Sequence, residues 1–263
     1  MRVFIAWLGV ALLAAPARAQ IDYRNLDHGR PGAVEDAYPV ERYGFELTAG
    51  SGVHWGSGSG RYRFVPGLAY GLFRGGEVSV HLPLAGRFGS AGGPSGLAGT
   101  DLSLLVNLSV EKVGLPALAV RLSGSLPTGG AAGDGGGVTI TGLATRSFGR
   151  NRIHANAAVA LATPESPGAR EDVSRWSVGL ALDRTLIRSS ILLISELEVA
   201  SVHPGDPWRY AVGLGGRRQI AATWLVDAGF RWEAQRHARS EAAVTIGFSH
   251  SFGIAQIMPR GTR

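Results

Sequence analysis

The chain of 263 residues contains no cysteine, which excludes disulfides, thiolate metal sites and cysteine nucleophiles. Its formal charge of +6 is dispersed and almost all arginine, with no basic run of the kind that binds nucleic acid. Thirty-nine glycines are too many for an average globular protein, and no apolar stretch after residue 20 is long enough for a transmembrane helix, so a membrane role has to use strands.

Residues 1–19 (MRVFIAWLGVALLAAPARA) read as a signal peptide. Arg2 gives the positive start, Val3 to Ala15 the short apolar run, and Ala17-Arg18-Ala19 the small-residue cleavage site. Residues 20–41 follow as a segment expected on the periplasmic side.

From there the sequence alternates with period two, the mark of strands with one apolar face. Twelve segments are predicted: 42–51, 60–72, 76–86, 100–111, 116–126, 137–148, 151–162, 173–184, 190–200, 208–217, 222–233 and 241–252. In 102–110 the apolar set is Leu102, Leu104, Val106, Leu108 and Val110, opposite Ser103, Asn107 and Ser109. The closing "VTIGFSHSF" (244–252) sets Val244, Ile246, Phe248, His250 and Phe252 against small or polar residues. A tail, 253–263, ends the chain.

The connections alternate as well. "RGGE", "KVGLP", "GRN" and the links 185–189 and 218–221 are short. Between them lie "VHWGSGSG", "RFGSAGGPSGLAG", "PTGGAAGDGGG", "TPESPGAREDVS", "VHPGDP" and "AQRHARS", which are longer and rich in Gly, Pro or charge. Short turns at one end and long loops at the other are the pattern of an all-β, transmembrane antiparallel barrel. Twelve strands with an apolar interior would enclose more space than side chains fill, since about eight already give a filled core. The apolar face is therefore expected to meet lipid, and the polar face to line the lumen. Trp176, Trp208, Tyr210, Trp224, Trp232, Phe248 and Phe252 fall near strand ends, where interfacial girdles form.

"GAVEDAYPVERYGFELTAG" (32–50), "LPTGG" (126–130) and "SFGRNRIHANAAVAL" (147–161) resemble the outer-membrane transporter family named for the meta-pathway of phenol degradation. The ending "VTIGFSHSF" resembles the C-terminal strand by which barrels are recognised for insertion, with Phe248 and Phe252 as the signal residues. The resemblance implies the cell outer membrane, the barrel-insertion machinery, outer-membrane lipid and lipopolysaccharide as partners, and passage of small aromatic or hydrophobic solutes.

No chemistry competes strongly with that reading. None of the seven histidines sits in a Gly-x-Ser-x-Gly elbow or a His-Glu-x-x-His helix. Neither "GSGSG" nor "GGAAGDGGG" has the Lys-Ser/Thr of a phosphate-binding loop, and both read as flexible surface loops. No enzyme, cofactor or metal is expected. The inward face collects Glu46, Arg61, Arg63, Glu77, His81, Asn107, Arg121, His154, Arg175, Asp183, Glu196, Glu198, Arg209, Asp227 and Arg231. Matching faces across the short turns places Arg175 near Glu198, Ser177 near Glu196 and Asn107 near Arg121. These charges either brace and block the bore or form a selective lining for a channel. A structural or lipopolysaccharide-contacting barrel with a closed lumen stands as the alternative, and an outer-membrane lipid hydrolase behind it.

Overall fold

The computed structural model describes residues 22–27, 29–56, 59–89, 92–162, 174–186, 190–201, 207–236, 240–254 and 257. The segment expected to be a signal peptide, parts of several connections and most of the C-terminal tail lie outside the described residues.

Fourteen strand segments form one sheet: β1 (Gly44–Gly56), β2 (Ser59–Phe73), β3 (Gly76–His81), β4 (Leu84–Gly89), β5 (Gly96–Leu97), β6 (Thr100–Ser109) and β7 (Ala117–Leu126) come first. β8 (Gly137–Phe148), β9 (Asn151–Ala162), β10 (Trp176–Thr185), β11 (Ile191–Ser201), β12 (Arg209–Ala221), β13 (Trp224–Gln235) and β14 (Glu241–Gly253) follow. All pairings are antiparallel, and β14 returns to β1 with Phe252 opposite Phe45, so the sheet closes on itself. β3 and β4 both pair with β2 and are one wall strand broken at Leu82–Pro83, where proline has no N–H for the ladder. With β3 and β4 counted together and the two-residue β5 set aside, the wall is a twelve-strand antiparallel barrel.

Two expected connections are strand instead. β1 and β2 continue their pairing to Gly56 opposite Ser59, through most of "VHWGSGSG". β12 runs on through 218–221, past a bulge between Gln219 and Ala221, and turns at Ala222–Thr223. At the short-turn end Gly75 and Gly149 hold φ of 81° and 62°, a left-handed conformation in which a Cβ would be strained. The loop 127–136 folds back over the rim: the Ala131 N–H donates to the Leu97 carbonyl (3.1 Å), and Ala131 is buried with Ala85 and Ala98.

The outward face is apolar around the whole circumference. Leu214 is 67 % exposed, Ile246 62 % and Leu197 60 %, and the pattern recurs on every long strand. A soluble monomer does not present a continuous belt of this size to water; in hydrocarbon it incurs no penalty. At the short-turn end Phe45 packs on Tyr70 (4.7 Å) and Phe252 (5.3 Å), and His250 stacks between Trp224 and Phe252. At the long-loop end Trp176 meets Trp208 edge-on. His250 is thus part of the outer belt, its Nδ1 bonded to the Thr223 carbonyl (3.1 Å).

Candidate functional site

The lumen is occupied. Residues 22–27 and 29–40, part of the segment 20–41 expected on the periplasmic side, pass inside the wall and meet inward side chains of many of its strands. The reason is physical: a polar bore this wide cannot be filled by its own side chains, and this segment supplies the missing partners for its buried charges.

Four clusters hold the segment. In the first, Arg30 donates through Nη1 to Asp227 (3.2 Å) and to the Ala49 and Phe248 carbonyls, and through Nη2 to Asp27 (2.6 Å) and Ser249 (2.7 Å). Arg217, fully buried, bridges Asp27 (2.9 Å) and Asp227 (3.6 Å). Two arginines thereby balance two aspartates out of water. Glu46 faces the same region of the lumen.

In the second, Glu35 pairs with Arg121 (2.8 Å), which also donates to Ser103 (2.7 Å) and lies 3.7 Å from Glu77. Glu77 in turn accepts the Val40 N–H (2.9 Å). Asn107 donates to the Ala37 carbonyl (2.8 Å).

The third is a relay. The Ala37 N–H donates to Thr145 Oγ1 (3.1 Å), Thr145 bonds His154 Nδ1 (3.0 Å), and His154 Nε2 bonds Asp183 (2.9 Å). Arg152 spans Asp183 (2.7 Å) and Asp36 (3.6 Å). Thr, His and Asp in this order are a nucleophile–base–orienter set in outline, a set not foreseen from the sequence. Thr145, His154 and Asp183 are all 0 % exposed, and the threonine hydroxyl already accepts an amide of the inner segment. The arrangement clamps the segment. Pairing Thr145 with His154 across the Gly149–Arg150 turn was the signal that could have found it.

In the fourth, Glu196 accepts the Ala33 (2.8 Å) and Val34 (3.2 Å) amides on one oxygen and Arg231 (2.7 Å) on the other. Arg231 also binds Glu198 and Glu233, each at 2.7 Å.

Glycines complete the seat. A Cβ at Gly215 would stand 2.8 Å from Pro31, at Gly229 2.6 Å from the Pro31 carbonyl, at Gly179 2.7 Å from Val34, and at Gly50 2.5 Å from Arg30. Real Cβ atoms essentially never come so close, so a side chain at any of these wall positions would force the segment seen here to shift.

Fourteen of the fifteen expected lumen residues fall on the inward alternation of their strands, Arg175 lies just before β10, and the expected pairs do not form. Glu198 and Glu196 lie opposite Gly179 and Ala181, each four residues along β10 from the expected Arg175 and Ser177. Arg175 is exposed near the long-loop end, and the glutamates bind Arg231 instead. Arg121 lies opposite Leu105, and Asn107 opposite Ala119, across a bulge. Asp227 joins Arg30 and Arg217. Toward the long-loop end, Arg61 binds Glu241 (3.0 Å) and Arg209 binds Ser174 (3.1 Å), while Arg63 and His81 face inward from β2 and β3. Phe248 and Phe252 face outward.

The segment leaves the lumen at the short-turn end, where the Tyr38 hydroxyl donates to Glu111 (3.4 Å). Partial burial pushes the Glu111 carboxyl up, but the Ser147 N–H and Arg146 outweigh it and hold it below the usual carboxylate range.

This shape, a closed twelve-strand wall with an apolar exterior, has clear counterparts. An outer-membrane channel from Pseudomonas putida F1 superposes with a TM-score of 0.62 at 12 % identity, over 86 % of this chain and 100 % of that one. The fold is that of an outer-membrane β-barrel. The NanC porin (TM-score 0.54, 8 % identity, 78 % of this chain and 98 % of that one) and the KdgM porin (0.53, 9 %, 79 % and 99 %) are similar in the same way. No family model matches the chain, and no curated protein matches it.

Proposed function

We propose that the protein is a passive, non-enzymatic outer-membrane channel for small solutes, closed at rest by the segment inside its wall. The observation that carries this is the glycine-lined seat: the wall has given up side chains where the segment lies, as expected of a built-in plug. In this reading the short-turn end is periplasmic, so the segment can withdraw in that direction without crossing the membrane.

Toward the long-loop end, Arg61, Arg63 and Arg87 stand on β2 and β4, and Glu198, bound to Arg231, stands on β11. In a twelve-strand ring β4 faces β11, so an arginine-rich wall stands opposite the Glu198–Arg231 pair. Such a field orients dipolar solutes. The resemblance to the phenol-degradation family points to small aromatic compounds among them. A closed structural barrel is the second reading, favoured by the number of ion pairs that hold the segment.

Because the chain has no cysteine, a Val34→Cys/Gly179→Cys pair can tether the plug cleanly. In planar bilayers the oxidised pair should be silent and the reduced pair should conduct. Equal conductance in both states would show that the segment is not the gate, and silence in both, with silent wild type, would favour the structural barrel.

A further inference from the structure

The outward face is apolar except close to the short-turn end, where cations gather. Arg184 on β10 and Arg218 on β12 are exposed, and both stand at outward positions, alternating with the inward Asp183 and Arg217. Neither forms an ion pair among the described residues. Arg74, Lys112 and Arg150 in other short turns of that end are exposed as well, whereas Glu111, beside Lys112, is bound to Arg146.

The ladder fixes how the two arginines relate. Arg184 lies opposite Leu193, Leu193 opposite Gly216, and Arg218 opposite Ile191, so the arginines straddle β11. Two strand spacings and a two-residue offset separate their Cα atoms by roughly 12 Å, within the combined reach of two arginine side chains. Toward the middle of the barrel Gly216 and its partner Ala228 leave a shallow track, because a Cβ on Gly216 would meet nothing nearer than 3.7 Å. Leu193, Leu214 and Phe230, all exposed, border that track. A cationic fork at the membrane edge, with an apolar track leading from it toward the midplane, matches an amphiphile with an anionic head.

We propose that Arg184 and Arg218 form a binding site for the phosphate of an anionic glycerophospholipid in the leaflet at the short-turn end, with an acyl chain along Gly216 and Ala228. Arginine suits this role: its stem stays in the apolar layer while the guanidinium reaches the headgroup and donates two parallel bonds to phosphate. The site is separate from the lumen and independent of whether the barrel conducts.

The test is native mass spectrometry of the whole barrel, exchanged into detergent with equal amounts of phosphatidylglycerol and phosphatidylcholine. Wild type should retain phosphatidylglycerol preferentially. Arg184→Gln/Arg218→Gln should lower that preference by about twenty- to thirty-fold, given roughly five-fold per arginine at a membrane surface. Arg74→Gln/Lys112→Gln, which leaves the fork intact, should keep most of it. Heat-modifiable gel mobility checks that each variant is folded. Equal retention by wild type and the fork variant would overturn the proposal. So would displacement of the lipid by millimolar inorganic phosphate, which would mark a general anion site, or preferential retention of lipopolysaccharide over phosphatidylglycerol.

Discussion

Replacing Arg30 by alanine isolates the energy that keeps the inner segment seated. Arg30 gives five hydrogen bonds, to Ala49, Asp227, Phe248, Asp27 and Ser249, and its side chain is almost fully buried. Removing one partner of a buried ion pair costs about 3–5 kcal/mol. Arg217 remains beside Asp27 at 2.9 Å and Asp227 at 3.6 Å, so neither carboxylate is left without a cation, and the lower end of that range applies. A displaced segment loses these contacts anyway, so the loss falls on the seated state alone. About 3 kcal/mol is two powers of ten in the ratio of seated to displaced forms. Open probability in planar bilayers should rise accordingly, while heat-modifiable mobility shows the wall still folded. A folded Arg30→Ala barrel with wild-type open probability would refute the idea that this cluster holds a gate.

Other perturbations separate wall, plug and lining. Leu104→Arg, at an outward mid-strand position, should oppose insertion by about 2–4 kcal/mol, whereas Thr139→Arg, inward near the long-loop end, should leave folding into vesicles intact. Glu198→Gln should shift reversal potentials of reduced, conducting channels toward anions, with a shift that shrinks as 1 M salt shortens the screening length to about 3 Å. Glu196→Gln should also raise open probability, because Glu196 holds the Ala33 and Val34 amides, whereas Glu198 binds Arg231 of the wall.

The wall was legible in the sequence because its signal is local. Period-two alternation and the short-turn, long-loop rhythm identified the twelve wall strands, the inward set and the outward His250. Register was less legible: a bulge between Asn107 and Ser109 moved the partner of Asn107 by one inward position, and β10 and β11 meet four residues from the expected offset, which moved the partners of Glu196 and Glu198 by two. The position of the inner segment was not legible, because nothing in "YRNLDHGRPGAVEDAYPV" alternates. Its acids and Arg30 find partners more than a hundred residues away, as Arg30 does in Asp227 and Glu35 almost does in Arg121 at a separation of 86.

The inward charges alone do not distinguish a pore from a filled bore, since both require polar residues facing in. The glycines do. A conducting lumen gains nothing from glycine at Gly179, Gly215 and Gly229, where strand interiors favour side chains with more packing and less backbone entropy. An occupied lumen requires it, because a Cβ at each would enter the space of Val34 or Pro31. The same glycines that weaken the strands as strands are therefore the record of what lies inside them. Alanine at Gly215 adds a single methyl group on the lumen side, nearer to Pro31 at 2.8 Å than to the wall's Ala228 carbonyl at 3.2 Å. It should therefore act on the plug rather than on the wall.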